Sequence, residues 1–267
     1  MSILAMHTAT TGLGALNTEI DVIANNLANV NTYGFKGSRA NFEDLLYQHL
    51  EPAGGLNSQG VAKPVGTAVG LGVKISNTQR LFTQGSPVET GVDTDMYIQG
   101  DSFFRVQTLE DIGGGYAYTR AGNFFVNLDG ELVLGNTDGH RLDPPVQVPD
   151  GYTNVTIGLD GVVRAVGPGE TTTEDVGQIQ LFRFPNPAGL AAQGMNLFTE
   201  TDASGEAVGA NPGTEGLGTL LGGFLETSNV DAVTQLVNLI RAQRAFELNS
   251  QVITTGNEML QTVTHLK

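Results

Sequence analysis

The chain has 267 residues, with 13 Lys+Arg against 28 Asp+Glu and a formal charge of −15. Such an acidic surface is repelled by phosphate backbones and anionic lipid, which argues against nucleic-acid partners. There is no cysteine, so disulfides, thiolate catalysis and Cys-based zinc sites are excluded.

The N-terminal residues Met1–His7 hold neither a basic leader nor a sustained apolar run, so they are not expected to be a secretory signal peptide, and any export would proceed without a cleaved one. No stretch approaches the roughly 18–20 apolar residues of a membrane span, and no membrane insertion is expected. From Met6 the apolar residues Ala9, Leu13, Leu16, Ile20, Ile23, Leu27 and Val30 follow spacings of three and four. That stripe predicts one long helix with a coiled-coil-like seam, running from about Ile3 to Asn31 and stopped by Tyr33-Gly34.

All ten prolines lie between Pro52 and Pro212, and 26 of the 36 glycines fall in the same interval. Breakers therefore crowd the middle and spare the ends. Three regions follow: residues 1–36 with 228–267 as a terminal helical domain, 37–70 as an extended or linker segment, and 71–227 as a mainly-β outer domain. The fold class is α+β. Within the linker, Glu51–Thr67 is rich in Gly and poor in apolar residues, which suits a segment that orders against a partner.

In the middle, Phe103–Gln107, Tyr116–Arg120 and Gln178–Phe184 read as strands. Val126–Leu134 and Thr156–Val163 each read as strand, Asp-Gly turn, strand, for which a type I′ turn is expected. The second long helix is predicted to open at Ser228, with Asp231 completing a capping-box-like start. Its seam is Leu236, Leu239, Gln243, Phe246, Ser250, Ile253, Asn257 and Leu260, and a second face holds Ala245, Leu248, Val252, Thr255 and Met259. Two semi-apolar faces suggest a helix touched from more than one side.

No constellation carries chemistry. The histidines at 7, 49, 140 and 265 form no i, i+4 pair. There is no nucleophile elbow and no phosphate loop. Asp129-Gly130 and Asp138-Gly139 lack the alternating ligands and closing Glu of a calcium loop. No catalytic residue, metal or cofactor is expected. The end helices could pack on the chain's own body, the commoner fate of an amphipathic helix. The narrowness of the first stripe favours packing between molecules instead, through Leu13, Leu16, Ile20, Ile23, Leu27, Val30, Leu236, Leu239, Phe246, Ile253 and Leu260.

Several blocks together resemble the rod and hook proteins of the bacterial flagellum. The first is Ala24-Asn25-Asn26-Leu27-Ala28-Asn29, continuing to Gly34-Phe35-Lys36. Phe42–Tyr47 is similar to the distal rod branch. Ile98–Phe104, with Ser102 where glycine is more familiar, Tyr118–Phe124 and Asp129–Val133 match central blocks. Asn186–Leu190, Gly194–Phe198 and Glu226-Thr227-Ser228-Asn229-Val230-Asp231 complete the set. The resemblance spans nearly the whole chain. It implies export through the flagellar type III apparatus and helical self-assembly into a hollow driveshaft across the periplasm. The terminal helices would form the inner tube. Proximal rod, hook and, where present, ring proteins would be neighbours. A proximal rod or short hook-type subunit is the alternative within the family, and a β-rich surface adhesin the alternative outside it.

Overall fold

The computed structural model describes residues 3–51, 54, 65–108, 113–149, 151–167, 172–214 and 216–265. The chain is α+β, with one long helix near each end and a strand-rich middle. It divides into two compact units. The first comprises residues 1–28, 38–79 and 231–267, and the second residues 29–37 and 80–230. These bounds differ from the expected ones at both junctions. Residues 38–79 fold with the helices, and the motif stretch 29–37 folds with the strands.

In the first unit, helix α1 (Ile3–Ala28) packs on helix α2 (Ala232–His265). Helix α1 ends three residues earlier than its apolar pattern suggests. The carbonyl of Asn29 accepts the N–H of Thr32 at 3.2 Å, and its side-chain oxygen accepts the Thr32 hydroxyl. Asn thus offers the backbone a tight turn in place of another helical bond. Helix α2 starts at Ala232, because Asp231 is its N-cap. The Asp231 carboxylate accepts the N–H groups of Val233 at 2.8 Å and Thr234 at 3.3 Å. Ser228 does not cap the helix; its hydroxyl accepts the N–H of Val230.

The expected linker contains strands. Ser38–Asp44 pairs with Val73–Arg80, and Tyr47–Glu51 pairs antiparallel with Thr67–Gly70. The first pair is laced by Arg39 on Gln79, Asn41 on Asn77 and Lys74 on Glu43. Such cross-strand polar pairs stabilise a ribbon with no apolar face to betray it in sequence. The stretch Glu51–Thr67 lies largely outside the described residues.

In the second unit, a five-stranded antiparallel sheet runs in the order Leu142–Asp143, Phe104–Gln107, Tyr116–Thr119, Leu197–Thr199, Ala191–Gly194. Successive side chains on a strand face opposite ways, so Phe103 and Phe104 enter different cores. Phe104 joins Met96, Ile98, Phe124, Leu132 and Leu181. Phe103 joins Tyr118, Phe182, Phe184 and Phe198, whose rings meet edge to face. Both expected Asp-Gly hairpins form, at Phe124–Leu134 and Thr153–Val166. Their turns are not type I′. Gly130 and Gly161 alone take positive φ, at 79° and 77°, each closing a four-residue turn on Asn127 or Gly158. The longer loop seats a single left-handed residue at the glycine. The two-residue turn with both φ positive is Met195-Asn196.

Candidate functional site

Four of the sequence blocks meet in a buried ionic centre of the second unit. Gly34 enters at φ 69°, and its N–H donates to the Glu226 carbonyl at 2.8 Å. A Cβ there would lie 2.6 Å from the Ala121 nitrogen, so only glycine fits. The turn aims Lys36 inward. Its ammonium donates to Glu226 Oε1 at 2.6 Å and to the Thr83 carbonyl at 2.8 Å. The Gly85 N–H reaches the same carboxylate oxygen at 2.8 Å. Arg120 faces Glu226 Oε2 at 3.5 Å, donates to the Gly100 carbonyl at 2.6 Å and lies over the Phe103 ring.

Lys36, Glu226 and Arg120 are 0%, 1% and 1% exposed. Burial pulls the Lys36 ammonium and the Arg120 guanidinium below their usual pKa ranges, with the Glu226 charge opposing the shift in both. Nearby, Asn229 accepts the Gly37 N–H at 2.8 Å and donates to the Leu81 carbonyl at 2.8 Å, tying the entering and leaving strands of this unit. The arrangement holds chain segments together. It offers no nucleophile beside a base, and no metal-holding cluster of His and carboxylates occurs among the described residues.

In the first unit, Asn26 is buried and mimics a backbone group. Its amide donates to the Ser38 carbonyl at 2.7 Å and accepts the Ser38 N–H at 2.9 Å. Ala24, Asn25 and Ala28 lie on the exposed side of α1. The apolar stripe divides. Ile23 is 5% exposed and belongs to the unit's interior, whereas Leu13, Leu16, Ile20 and Leu27 are half-buried, as is Val30 beyond the helix end.

Helix α2 turns a small and polar face inward. Ala242 and Gly256 are buried, and Gln235, Leu239, Ala245, Asn249 and Ile253 are half-buried. Its outer surface carries large apolar residues among polar and charged ones, with Leu236, Phe246 and Leu260 exposed, Ile240 57% and Leu248 64% exposed. Sequence pattern named the first three and Leu248. It missed Val233, Val237 and Ile240, which are also exposed. A run of apolar residues that small inward-facing residues push outward is the signal that could have found them. Arg120 and Glu226 stood inside quoted blocks without a role. Full burial of charges in a chain with few of them is the signal, and it needs the fold.

Three family models match the chain: the flagellar basal body rod protein at residues 6–36, the hook protein FlgE/F/G D1 domain at 97–165, and the basal body rod FlgEFG C-terminal domain at 221–266. Over 98% of its length the chain is 45% identical to the flagellar basal-body rod protein FlgG of Caulobacter vibrioides, covering 99% of that protein. It is 43% identical to FlgG of Borreliella burgdorferi and 40% to FlgG of Bacillus subtilis, covering 98% of each chain. The chain therefore belongs to the rod and hook family of the bacterial flagellum, whose members are structural proteins and not enzymes. Within that family it is a structural subunit of the distal rod, located in the flagellar basal body.

Proposed function

We propose that the chain polymerises helically through the outer faces of α1 and α2, which form a coiled-coil-like inner layer of a hollow shaft carrying motor torque to the hook. The observation that carries this reading is the set of large apolar side chains that α2 leaves exposed, Leu236, Ile240, Phe246 and Leu248 among them. Each Leu or Ile buried there by a second copy contributes roughly 1.5–3 kcal/mol before ordering costs. The interface residues are Leu13, Leu16, Ile20, Leu27, Leu236, Phe246 and Leu260, joined by Ile240 and Leu248, whereas Leu239 and Ile253 lie on the inward face of α2. Export through the type III apparatus, and junctions with proximal rod, hook and ring proteins, belong to the same reading.

Ile240→Asp and Leu248→Asp test it. Both positions are exposed in the monomer, so the soluble chain keeps its circular dichroism spectrum. Sedimentable polymer and swimming are lost. Normal swimming by both variants would defeat the reading.

A second element is the bridge between adjacent copies through Glu51–Thr67. The strands on either side of it expose Leu50 and Val69, apolar residues suited to a neighbour. Deleting residues 52–64 gives a shaft that forms but bends more easily in electron micrographs. Unchanged bending stiffness would remove the bridge.

A further inference from the structure

The second unit carries a protruding tip and a cleft that fit one another in chemistry. The tip is the turn Asn127–Gly130. It is rigid: Asn127 Oδ1 accepts the N–H groups of Asp129 at 2.9 Å and Glu131 at 2.8 Å, and Gln147 donates to the Asp129 carbonyl at 3.1 Å. At its apex Leu128 is 101% exposed, with Phe125 and Val126 exposed on the strand leading to it. The Asp129 carboxylate has no ion-pair partner among the described residues. The related tip Leu159-Asp160 differs, because Arg164 and the Val162 N–H already engage the Asp160 carboxylate.

The cleft encloses about 820 Å³ and is lined by Phe82, Phe103, Phe184 and Pro185, with the charged residues Asp101, Arg120 and Arg183. Arg183 is exposed and has no ion-pair partner among the described residues. Arg120 Nε is buried without an acceptor. Arg120 is already paired with Glu226, and Asp101 lines the same cleft, so Arg183 is the cation this partly aromatic hollow leaves for a ligand.

We propose that the Leu128-Asp129 tip of one copy enters this cleft on a second copy, with Leu128 against the Phe and Pro wall and the Asp129 carboxylate toward Arg183. An apolar apex beside a free carboxylate suits an apolar hollow beside a free guanidinium. The two surfaces are different patches of one molecule, so the contact is heterologous. Repeated in one direction from copy to copy, such a contact closes into a ring or runs on as an open helix, and the open form is the one compatible with the helix-mediated polymer. It would add a second contact to the helix-mediated polymer, and it rests on that reading.

The absence of cysteine allows a clean test. The full chain carrying Leu128→Cys and Gln99→Cys, the second on the cleft rim, is polymerised and treated with a short bismaleimide. A ladder of cross-linked multimers is expected, absent when either cysteine stands alone. Asp129→Arg and Arg183→Asp, both on the surface, each raise the concentration needed for polymerisation about tenfold, and the double swap restores it. Polymer that pellets normally but gives no ladder would remove the contact while leaving the helical reading intact. Wild-type polymerisation by both single variants would do the same. A parent chain that never polymerises would overturn both together.

Discussion

Lys36 and Glu226 are 190 positions apart in sequence, yet the ammonium lies 2.6 Å from the carboxylate with neither group in contact with water. Glu226 faces two buried cations, because Arg120 approaches its other oxygen. The two ends of the pair are therefore unequal. Glu226→Gln strands both cations, and breaking a buried pair in this way costs about 3–5 kcal/mol. Lys36→Met leaves Glu226 with Arg120 and the Gly85 N–H, so its loss is smaller. Urea unfolding of the full chain measures both. Equal losses, or the reverse order, would show that Glu226 is not the hub.

Gly34 and Gly14 should respond in opposite senses to alanine. At Gly34 the methyl needs a left-handed backbone and meets the Ala121 backbone at 2.6 Å. The conformational penalty alone is about 1–2 kcal/mol, and the clash adds to it. At Gly14, in the middle of α1, nothing lies within 4 Å of the built Cβ. There alanine improves helix propensity and stabilises by about 0.8–1 kcal/mol. Thermal unfolding separates them, and a tolerated Gly34→Ala would contradict the close approach.

The residues themselves explain what was legible in the sequence. Helix α1 was readable because its stripe repeats with helical period and its interior lacks proline. The strands at Phe104 and Tyr116 were readable from alternation and β-branched or aromatic content. The ribbon at Ser38–Asp44 was not, because polar pairs hold it and neither face is apolar. The inward face of α2 was not, because Ala242 and Gly256 carry too little hydrophobicity to mark a contact. Seam counting therefore placed Leu236 and Phe246 on the same face as Leu239, although the helix separates them by exposure. The ionic centre was invisible for another reason: its partners come from blocks far apart in sequence, and only the folded chain brings the charges together.

Asp231 makes the start of α2 sensitive to acid. N–H bonds from Thr234 and Val233 hold its carboxyl below the ordinary carboxylate range. A depressed pKa stabilises the folded form above the unfolded value, and that stabilisation disappears as pH falls through the folded value. Asp231→Ala should therefore lower the thermal midpoint at neutral pH, and the gap from the parent should close on acidification below about pH 4. Midpoints from circular dichroism across pH read this directly. A gap that stays constant to the lowest pH would mean that the charge of the cap contributes nothing.

The contact between α1 and α2 depends on small residues. Ala242 is 4% exposed, and a Cβ on Gly12 would already stand in van der Waals contact with the Asn249 amide, at 3.4 Å. Small side chains let helix backbones approach, and added methylenes have nowhere to go. Ala242→Leu should cost about 1–3 kcal/mol through displaced neighbours, although leucine is the more hydrophobic residue and a good helix former. Leu248→Ala, on the exposed face, removes a larger group and should change the monomer by no more than about 0.5 kcal/mol. Polymerisation should respond in the opposite order, with Leu248→Ala weakening it more per unit of monomer stability lost. Unfolding of the monomer by urea, set beside the concentration at which polymer first sediments, distinguishes the two faces. If Ala242→Leu leaves the monomer unchanged, the small-residue seam is not what joins the helices.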